Sequence, residues 1–524
     1  CKRIHALRGF SDRFGKKGVF MKMKKIAAGL LAAATVLGVS GCNGGSGGRG
    51  GETTEATTTT TSGPSAADVI MDEAEVVDID ENQPTGEIKV LIYYDLVTQD
   101  AELVDLFETR YGGSIDLEQC GSGAEYFERL GTLVASDSSP DIVRYEWMSF
   151  PHGMSRNMYT PLDTYIDLDS DLWSGMKDIA EQFKYNGKHY YIPYKVTSNF
   201  AINYNRLSLQ EYGLQDPMEL YHNGEWTWDA FRDICMQWCN ADTNHIGYTG
   251  VSAMSFVSTT GTKLIDVQDT QIINNLKNEN VQRAMEFVEG LCREGLTGEG
   301  YVDPGQAFVD GNLLFLGMEP TWAYSAACSS LYKNNIEYDM AFVPFPRDPS
   351  ADKYYQAYDS FGYMVPAGAK NVKGAIDWIT LNRIEVTDEE NVAEAKAKAT
   401  DSSTKYYPKC PECKYSFVEH ETDDLTTCPE CGAARKVKFN AYYSDEQYEV
   451  LMDLTTPSRE KFSFLFDNCK GFNKDMSNYF EGMGDQSLMD GPIFANVSYT
   501  QLREEKYNMI EATLDEYREK MAQG

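Results

Sequence analysis

Residues 87–143 constrain the fold most strongly, because strand-like and helix-like patterns alternate in them at short spacing. Residues 87–94 (EIKVLIYY) form an apolar, β-branched run typical of a buried strand. Residues 99–111 carry apolar side chains at helical spacing and end before a glycine pair. A short strand at 114–118, a second helix and a strand at 140–143 follow. This order predicts right-handed βαβ units and a parallel sheet.

The chain is long enough for two lobes. The roughly 435 residues after residue 86 exceed what one hydrophobic core usually supports. Further amphipathic helices are predicted beyond the first sheet, including one that Thr227 would cap and that carries Phe231, Ile234 and Trp238 on one face. We therefore expect two lobes.

The segment 21–41 resembles a bacterial lipoprotein signal. Three lysines open it, an apolar run too short to span a bilayer follows, and small residues lead to Cys42. The resemblance implies that Cys42 is lipidated and becomes the first mature residue, which places the protein on the extracellular face of the cell membrane. A secretory signal with a chance cysteine is the alternative, and both imply export. Residues 1–20 precede this signal, and we interpret them as a spurious extension.

Residues 42–86 are predicted to form the lipid anchor and a disordered tether, since most of them are Gly, Ser, Thr and Glu. The chain has a formal charge of −33; residues 1–41 contain nine Lys/Arg and one Asp, so the mature part carries −41. Such an acidic surface repels phosphate backbones. We therefore expect no nucleic-acid partner.

Four segments, in the same order, resemble the family 1 extracellular solute-binding proteins, the group that includes maltose-binding protein. They are residues 185–207 (YNGKHYYIPYKVTSNFAINYNRL), 226–231 (WTWDAF), 308–324 (FVDGNLLFLGMEPTWAY) and 338–369. The resemblance implies an α/β fold of the periplasmic-binding-protein-like type II, with two lobes, a hinge and an interlobe cleft. Carried onto this chain, lobe 1 comprises 87–194 and 346–440, with an insertion at 409–432, and lobe 2 comprises 195–345 and 441–524.

The same resemblance implies the function. The protein would be a monomeric, non-enzymatic receptor that binds a carbohydrate, expected to be an oligosaccharide, by hinge closure and passes it to ABC permease subunits. A sugar presents apolar C–H faces and hydroxyl groups, so its site needs aromatic surfaces and planar polar groups. The residues that match the family's ligand-contacting positions are Tyr94, Asp95, Tyr145, Glu146, Trp147, Tyr194, Asn199, Trp322, Asp359 and Ser360.

Two CPEC motifs indicate a metal site. Cys410 and Cys413 form the first pair, and Cys428 and Cys431 form the second, fourteen residues later. CxxC knuckles in pairs supply four thiolates to a tetrahedral ion, as in zinc ribbons. We expect structural Zn²⁺; iron in a rubredoxin-like site, or two disulfides, are the alternatives. His420 lies between the knuckles and is expected to be a surface residue. The cysteines without framework spacing are expected to be free thiols: Cys120, Cys235, Cys239, Cys292, Cys328 and Cys469.

Two other functions stay open. The same fold could bind a peptide, a polyamine or another organic solute, and a cationic solute would favour the acidic residues Asp95, Glu146 and Asp359. An exported hydrolase would need two carboxylates at a fixed separation. Asp and Glu are too abundant here for such a pair to stand out, and no HExxH motif is present.

Overall fold

A computed structural model describes residues 69–523, except 81, 252, 299, 418–425 and 482–484. The predicted signal segment, Cys42, His420 and most of the tether lie outside the described residues. Within the described part, no helix combines the length and the hydropathy that crossing a membrane would require.

The chain alternates short strands with helices along its whole described length. The strands are β1 (Gly86–Ile92), β2 (Gly113–Gln119), β3 (Ile142–Arg144), β4 (Lys184–Tyr185), β5 (Lys188–His189), β6 (Lys195–Ser198), β7 (Ala201–Asn205), β8 (Ile246–Gly250), β9 (Ile265–Gln268), β10 (Gln271–Asn274), β11 (Leu313–Met318), β12 (Met340–Val343), β13 (Tyr354–Phe361), β14 (Tyr363–Met364), β15 (Lys405–Tyr406), β16 (Val437–Lys438) and β17 (Phe462–Leu465).

The helices connect these strands and cover the sheets. They are α1 (Leu96–Gln99), α2 (Ala101–Tyr111), α3 (Ala124–Ala135), α4 (Lys177–Ala180), α5 (Arg206–Tyr212), α6 (Pro217–His222), α7 (Trp228–Ala241), α8 (Met254–Ser258), α9 (Glu279–Arg293), α10 (Pro320–Lys333), α11 (Val372–Glu385), α12 (Glu389–Ala399), α13 (Asp445–Thr455), α14 (Lys474–Glu481), α15 (Asp490–Phe494) and α16 (Tyr499–Gln523).

The first sheet confirms the predicted βαβ start. Its strand order is β14-β3-β1-β2, and β1 pairs in parallel with both β2 and β3. Helix α2 ends at Gly112, whose φ of 66° is in the left-handed region that glycine adopts without strain. Asp141 is buried beside β3 and accepts hydrogen bonds from the backbone N–H groups of Lys89, Lys370 and Asn371. This carboxylate therefore joins the first sheet to the start of α11.

The second sheet has the order β12-β7-β11-β8. Strand β7 runs antiparallel to β11 and β12, whereas β8 and β11 are parallel. Helix α7 packs beside β8, and its predicted cap is confirmed, because the Thr227 hydroxyl accepts a hydrogen bond from the Ala230 N–H. The predicted face of α7, with Phe231, Ile234 and Trp238, is buried.

A third sheet has the strand order β17-β13-β6. Strand β6 directly precedes β7 of the second sheet, and β13 lies in the chain between β12 of the second sheet and β14 of the first sheet. One buried core lies between β1, α2 and α11. A larger core extends from the second sheet, through the third, to the α3 side of the first sheet. The two lobes are thus joined through a continuous apolar region under the third sheet.

Residues 69–80 lie outside regular secondary structure but contact the chain beyond residue 87. The backbone N–H of Met71 donates to the Arg156 carbonyl, and the Tyr165 hydroxyl donates to the Val77 carbonyl. This stretch (VIMDEAEVVDID) has apolar residues that the Thr-rich tract before it lacks. The end of the segment predicted as a tether is therefore attached to the folded part.

Candidate functional site

The paired strands β6 and β13 present two different faces. Lys195 lies opposite Phe361 and Thr197 lies opposite Asp359 in the antiparallel register. Residues directly opposite each other in such a pair point to the same side of the sheet. These four side chains are exposed or half-buried, whereas Tyr358 on the other face is 1% exposed. The open face, formed by Lys195, Thr197, Asp359 and Phe361, is called the cleft floor below.

The wall on the first lobe is built around Arg144, which ends β3. Its guanidinium carbon lies 5.5 Å from the ring centres of both Tyr93 and Tyr94 and 5.8 Å from that of Phe361 on the cleft floor. Its Nε lies 4.0 Å from the Glu146 carboxylate. Both Tyr94 and Arg144 lie at the carboxyl ends of parallel strands, where open α/β sheets place their ligands.

Charged groups of this wall are partly removed from water. The Lys195 ammonium lies 4.9 Å from the Phe361 ring centre. Burial lowers the pKa of Lys195 to about 8, although the Asp100 charge opposes this shift. Burial also raises the pKa of Asp100 and that of Glu146, with Arg144 acting in the opposite direction on both carboxyls. The wall therefore offers hydrogen-bond donors and acceptors in a setting of reduced solvent screening.

The wall on the second lobe is the amino terminus of α10, directly after β11. Glu319 caps this helix: its carboxylate accepts a hydrogen bond of 2.6 Å from the Trp322 N–H and one of 2.8 Å from the Thr321 hydroxyl. Burial raises the pKa of Glu319, and the charge of Asp359 on the cleft floor raises it further. Trp322 is half-buried. This wall thus combines an indole with a carboxylate beside the floor.

Several polar atoms under the floor are buried. The hydroxyls of Tyr145 and Tyr358 and the Oδ1 atom of Asn199 have no hydrogen-bond partner among the described residues. Tyr145 stacks on Tyr191 with ring centres 4.1 Å apart, and the Tyr191 hydroxyl faces Ser360. Buried polar atoms without a partner cost free energy unless water or a ligand reaches them.

The residues predicted as ligand contacts fall into three groups. Tyr94, Glu146 and Tyr194 surround Arg144, and Trp322 and Asp359 meet at Glu319. Tyr145, Asn199 and Ser360 point to the core side or have buried polar atoms. Asp95 caps α1 by accepting from the Thr98 N–H, and the half-buried Trp147 begins a 3-10 turn.

Four members of the site were not predicted: Arg144, Lys195, Glu319 and Phe361. Arg144 carried a usable signal, since it is a single charge at the end of an apolar strand (DIVRYEW). Little in the sequence around Glu319 pointed to the site, because Glu is not among the preferred helix-capping residues. Lys195 and Phe361 join the site only through the pairing of β6 with β13.

The arrangement suits recognition of a small polar molecule. Phe361, Tyr94 and Trp322 offer flat apolar surfaces, Asp359 and Glu319 offer acceptors, and Arg144 and Lys195 offer donors. The four cysteines of the two CPEC motifs are separate from this site; their sulfur atoms all lie within 4.8 Å of one another.

A family model described as bacterial extracellular solute-binding protein matches residues 102–402, more than half of the chain. No curated protein sequence matches.

Many solved structures share the fold. A family 1 extracellular solute-binding protein from Bifidobacterium longum subsp. infantis has a TM-score of 0.54 and 16% identity over 82% of this chain and 98% of that chain. An ABC substrate-binding protein from Listeria monocytogenes in complex with cycloalternan has a TM-score of 0.52 and 15% identity over 82% of this chain and 99% of that chain. The galacto-N-biose-/lacto-N-biose I-binding protein of the ABC transporter from Bifidobacterium longum, in complex with lacto-N-biose, has a TM-score of 0.51 and 11% identity over 83% of this chain and 99% of that chain. At these identities the likeness concerns the fold, and it confirms the predicted fold class.

Proposed function

Because the chain belongs to the bacterial extracellular solute-binding protein family, we propose that it binds a carbohydrate, specifically an oligosaccharide, over the cleft floor and delivers it to an ABC permease. The observation that carries this proposal is a set of half-buried aromatic residues, Tyr94, Phe361 and Trp322, on elements that also bring carboxylates and cations close together. Such a set matches the alternating apolar and hydroxylated surfaces of a sugar chain. The saccharides bound by similar structures, cycloalternan and lacto-N-biose, add support.

Binding would act by a shift between an open and a closed arrangement of the lobes. A solute that contacts Trp322 on one lobe and Arg144 on the other gains interactions from both walls only when the lobes approach each other. The strands β6 and β13 lie between the walls and would carry the hinge. The permease would then recognise the closed form.

Isothermal titration calorimetry of the purified protein against neutral oligosaccharides, uronate-containing oligosaccharides, peptides and polyamines tests the proposal. We expect binding of at least one oligosaccharide and a smaller radius of gyration in solution scattering when it is bound. If only peptides or polyamines bind, the carbohydrate assignment is wrong. Recovery of the bound sugar unchanged after prolonged incubation would separate a receptor from a hydrolase.

A cationic solute has less support. Asp95 uses its carboxylate to cap α1, and Glu146 lies beside Arg144. Asp359 remains exposed on the floor, yet Lys195 and Arg144 lie near the same surface and would repel a polyamine. Charge reversal of Asp359 should therefore weaken binding of a neutral sugar only moderately, whereas it would abolish binding of a polyamine.

We also propose that Cys42 carries a lipid that holds the receptor at the extracellular face of the membrane. The support is the lipoprotein-like sequence that precedes Cys42. Expression in a bacterial host tests it: the wild-type protein should partition with membranes, and Cys42→Ser should release processed or unprocessed protein without that lipid mass. Equal membrane association of both forms would refute lipidation at Cys42.

A further inference from the structure

The two CPEC motifs fold into knuckles with the same hydrogen bonds. The Cys410 N–H donates to the Tyr415 carbonyl, and the Cys410 carbonyl accepts from the Lys414 N–H. The second knuckle repeats this arrangement with Cys428, Ala433 and Gly432 in the corresponding positions. Lys414 and Gly432, each four residues after the first cysteine, have φ values of 66° and 70°. A shared turn geometry in two separate segments indicates a shared role.

The knuckles direct backbone N–H groups toward sulfur. The N–H groups of Glu412 and Cys413 donate to the Cys410 sulfur, and the Ala433 N–H donates to the Cys431 sulfur. Hydrogen bonds of this kind stabilise a thiolate more than a thiol, because the acceptor then carries a full charge. Backbone N–H groups of both knuckles thus point at sulfur atoms.

The sulfur atoms have the spacing of a tetrahedral site. The Cys410 and Cys431 sulfurs are 3.6 Å apart and those of Cys413 and Cys428 are 3.5 Å apart. A zinc–sulfur distance of about 2.3 Å gives a tetrahedron whose edges are about 3.8 Å. Both close pairs join one knuckle to the other, so a central ion would hold the two segments together.

The two knuckles and their stem, residues 405–438, are called the module below, and few other contacts stabilise it. Among its described residues, the buried set comprises Cys410, Cys428 and Phe417, with Tyr415 and Ala433 packed against them. The Arg435 guanidinium lies 4.4 Å from the Phe417 ring centre and 5.0 Å from that of Tyr406 in the stem strand β15. Three buried side chains cannot offset the conformational entropy of ordering such a segment.

We propose that Cys410, Cys413, Cys428 and Cys431 bind one Zn²⁺ as four thiolates, and that this ion replaces the hydrophobic core of the module. Thiolate donors select soft or borderline ions, and zinc has no redox chemistry. This matters because Cys413 and Cys431 are exposed, where an iron–thiolate centre would meet oxidants.

The module packs against helix α10. Its stem, β15 with β16, leads into Phe439, whose ring lies 5.3 Å from that of Tyr332 near the carboxyl end of α10. The Tyr324 hydroxyl donates to the Tyr442 carbonyl. Trp322 lies at the other end of the same helix. It precedes Tyr332 by ten residues, which corresponds to about 15 Å along an α-helix. The stem therefore meets α10 about 15 Å from Trp322, and we expect solute affinity to change little when the metal is lost.

The test uses the full chain purified without chelators. Elemental analysis should give one zinc per chain, and cobalt exchange should give the visible absorption of a tetrahedral thiolate complex. Cys413→Ser/Cys428→Ser, which removes one ligand from each knuckle, should lose the metal and make the segment 405–438 sensitive to trypsin. The matched control Cys292→Ser changes a cysteine far from the motifs in sequence and should keep one zinc.

Three results would overturn the proposal: four reactive thiols with no metal in freshly purified protein, two disulfides found by mass spectrometry, or stoichiometric iron. Titration with the solute on the same samples separates this proposal from the receptor function. We expect less than about a threefold change in solute affinity when zinc is lost, since helix ends separated by about 15 Å are coupled weakly.

Discussion

Truncation of the half-buried indole on the second wall is the most direct test of the cleft. In Trp322→Ala the helix cap survives, because Glu319 accepts its hydrogen bond from the backbone N–H of residue 322. The change therefore removes an aromatic surface without removing the turn that presents it. We expect the loss to appear in solute affinity and not in folding.

The magnitude follows from the area that a sugar ring would cover. A tryptophan buries about 150–250 Å² when fully enclosed, and Trp322 is already half-buried. One sugar ring covering about 60–80 Å² of the remaining surface contributes roughly 1.5–2 kcal/mol at about 25 cal/mol per Å². The dissociation constant should therefore rise about 10- to 30-fold.

Calorimetry with the tightest-binding oligosaccharide measures this change, and far-ultraviolet circular dichroism checks the fold. The control is Tyr332→Ala, on the same helix, where the side chain is 47% exposed and contacts Phe439 of the module stem. It should change affinity less than twofold. If Trp322→Ala binds the sugar as tightly as the wild type, the indole does not face the solute and the assigned wall is wrong.

Three further predictions concern charge and backbone. The folded-state pKa of Lys195, about 8, lies below its ordinary value of 10.5. Between these pH values the unfolded chain binds more protons than the folded one, so the free energy of unfolding should rise with pH across that window. Urea titrations at pH 7 and pH 10 should show this rise in the wild type and not in Lys195→Met. Gly250 has a φ of 123°, and a Cβ there would collide with the Gly317 carbonyl. Gly250→Ala should therefore lower the free energy of unfolding by about 3 kcal/mol or more. The control Gly213→Ala, where a Cβ would meet open space, should lower it by about 1 kcal/mol. An equal cost for both would refute the close approach of β8 and β11. Asp141→Ala removes a buried carboxylate that accepts hydrogen bonds from three backbone N–H groups, and it should lower the unfolding free energy by about 3–5 kcal/mol. Replacement of the exposed Asp105 by alanine should change it by less than about 0.5 kcal/mol, and similar values for the two would contradict the bridging role of Asp141.

Local patterns were sufficient where the determining contacts are close in sequence. The βαβ start, the cap at Thr227 and the apolar face of α7 were predicted from residues a few positions apart, and the structure confirms them. Local spacing carries this information because helices and turns repeat over three to five residues.

The identity of the site residues was less accessible. Asp95 was predicted to meet the ligand because it follows β1; the structure adds that its carboxylate caps α1. Tyr145 and Ser360 lie at plausible strand ends, yet their polar atoms face the core side. Arg144, Lys195 and Glu319 were missed because each joins the site through partners distant in sequence.

The amino-acid sequence by itself determined which segments become strands and helices and where the four thiols of the two CPEC motifs lie in the chain. The tertiary structure alone decided which side chains face the cleft. That choice depends on the register of β6 with β13, strands about 160 residues apart, where Asp359 lies opposite Thr197. A shift of this register by one residue would exchange the two faces of the strand pair, turning Asp359 toward the core and Tyr358 toward the solute.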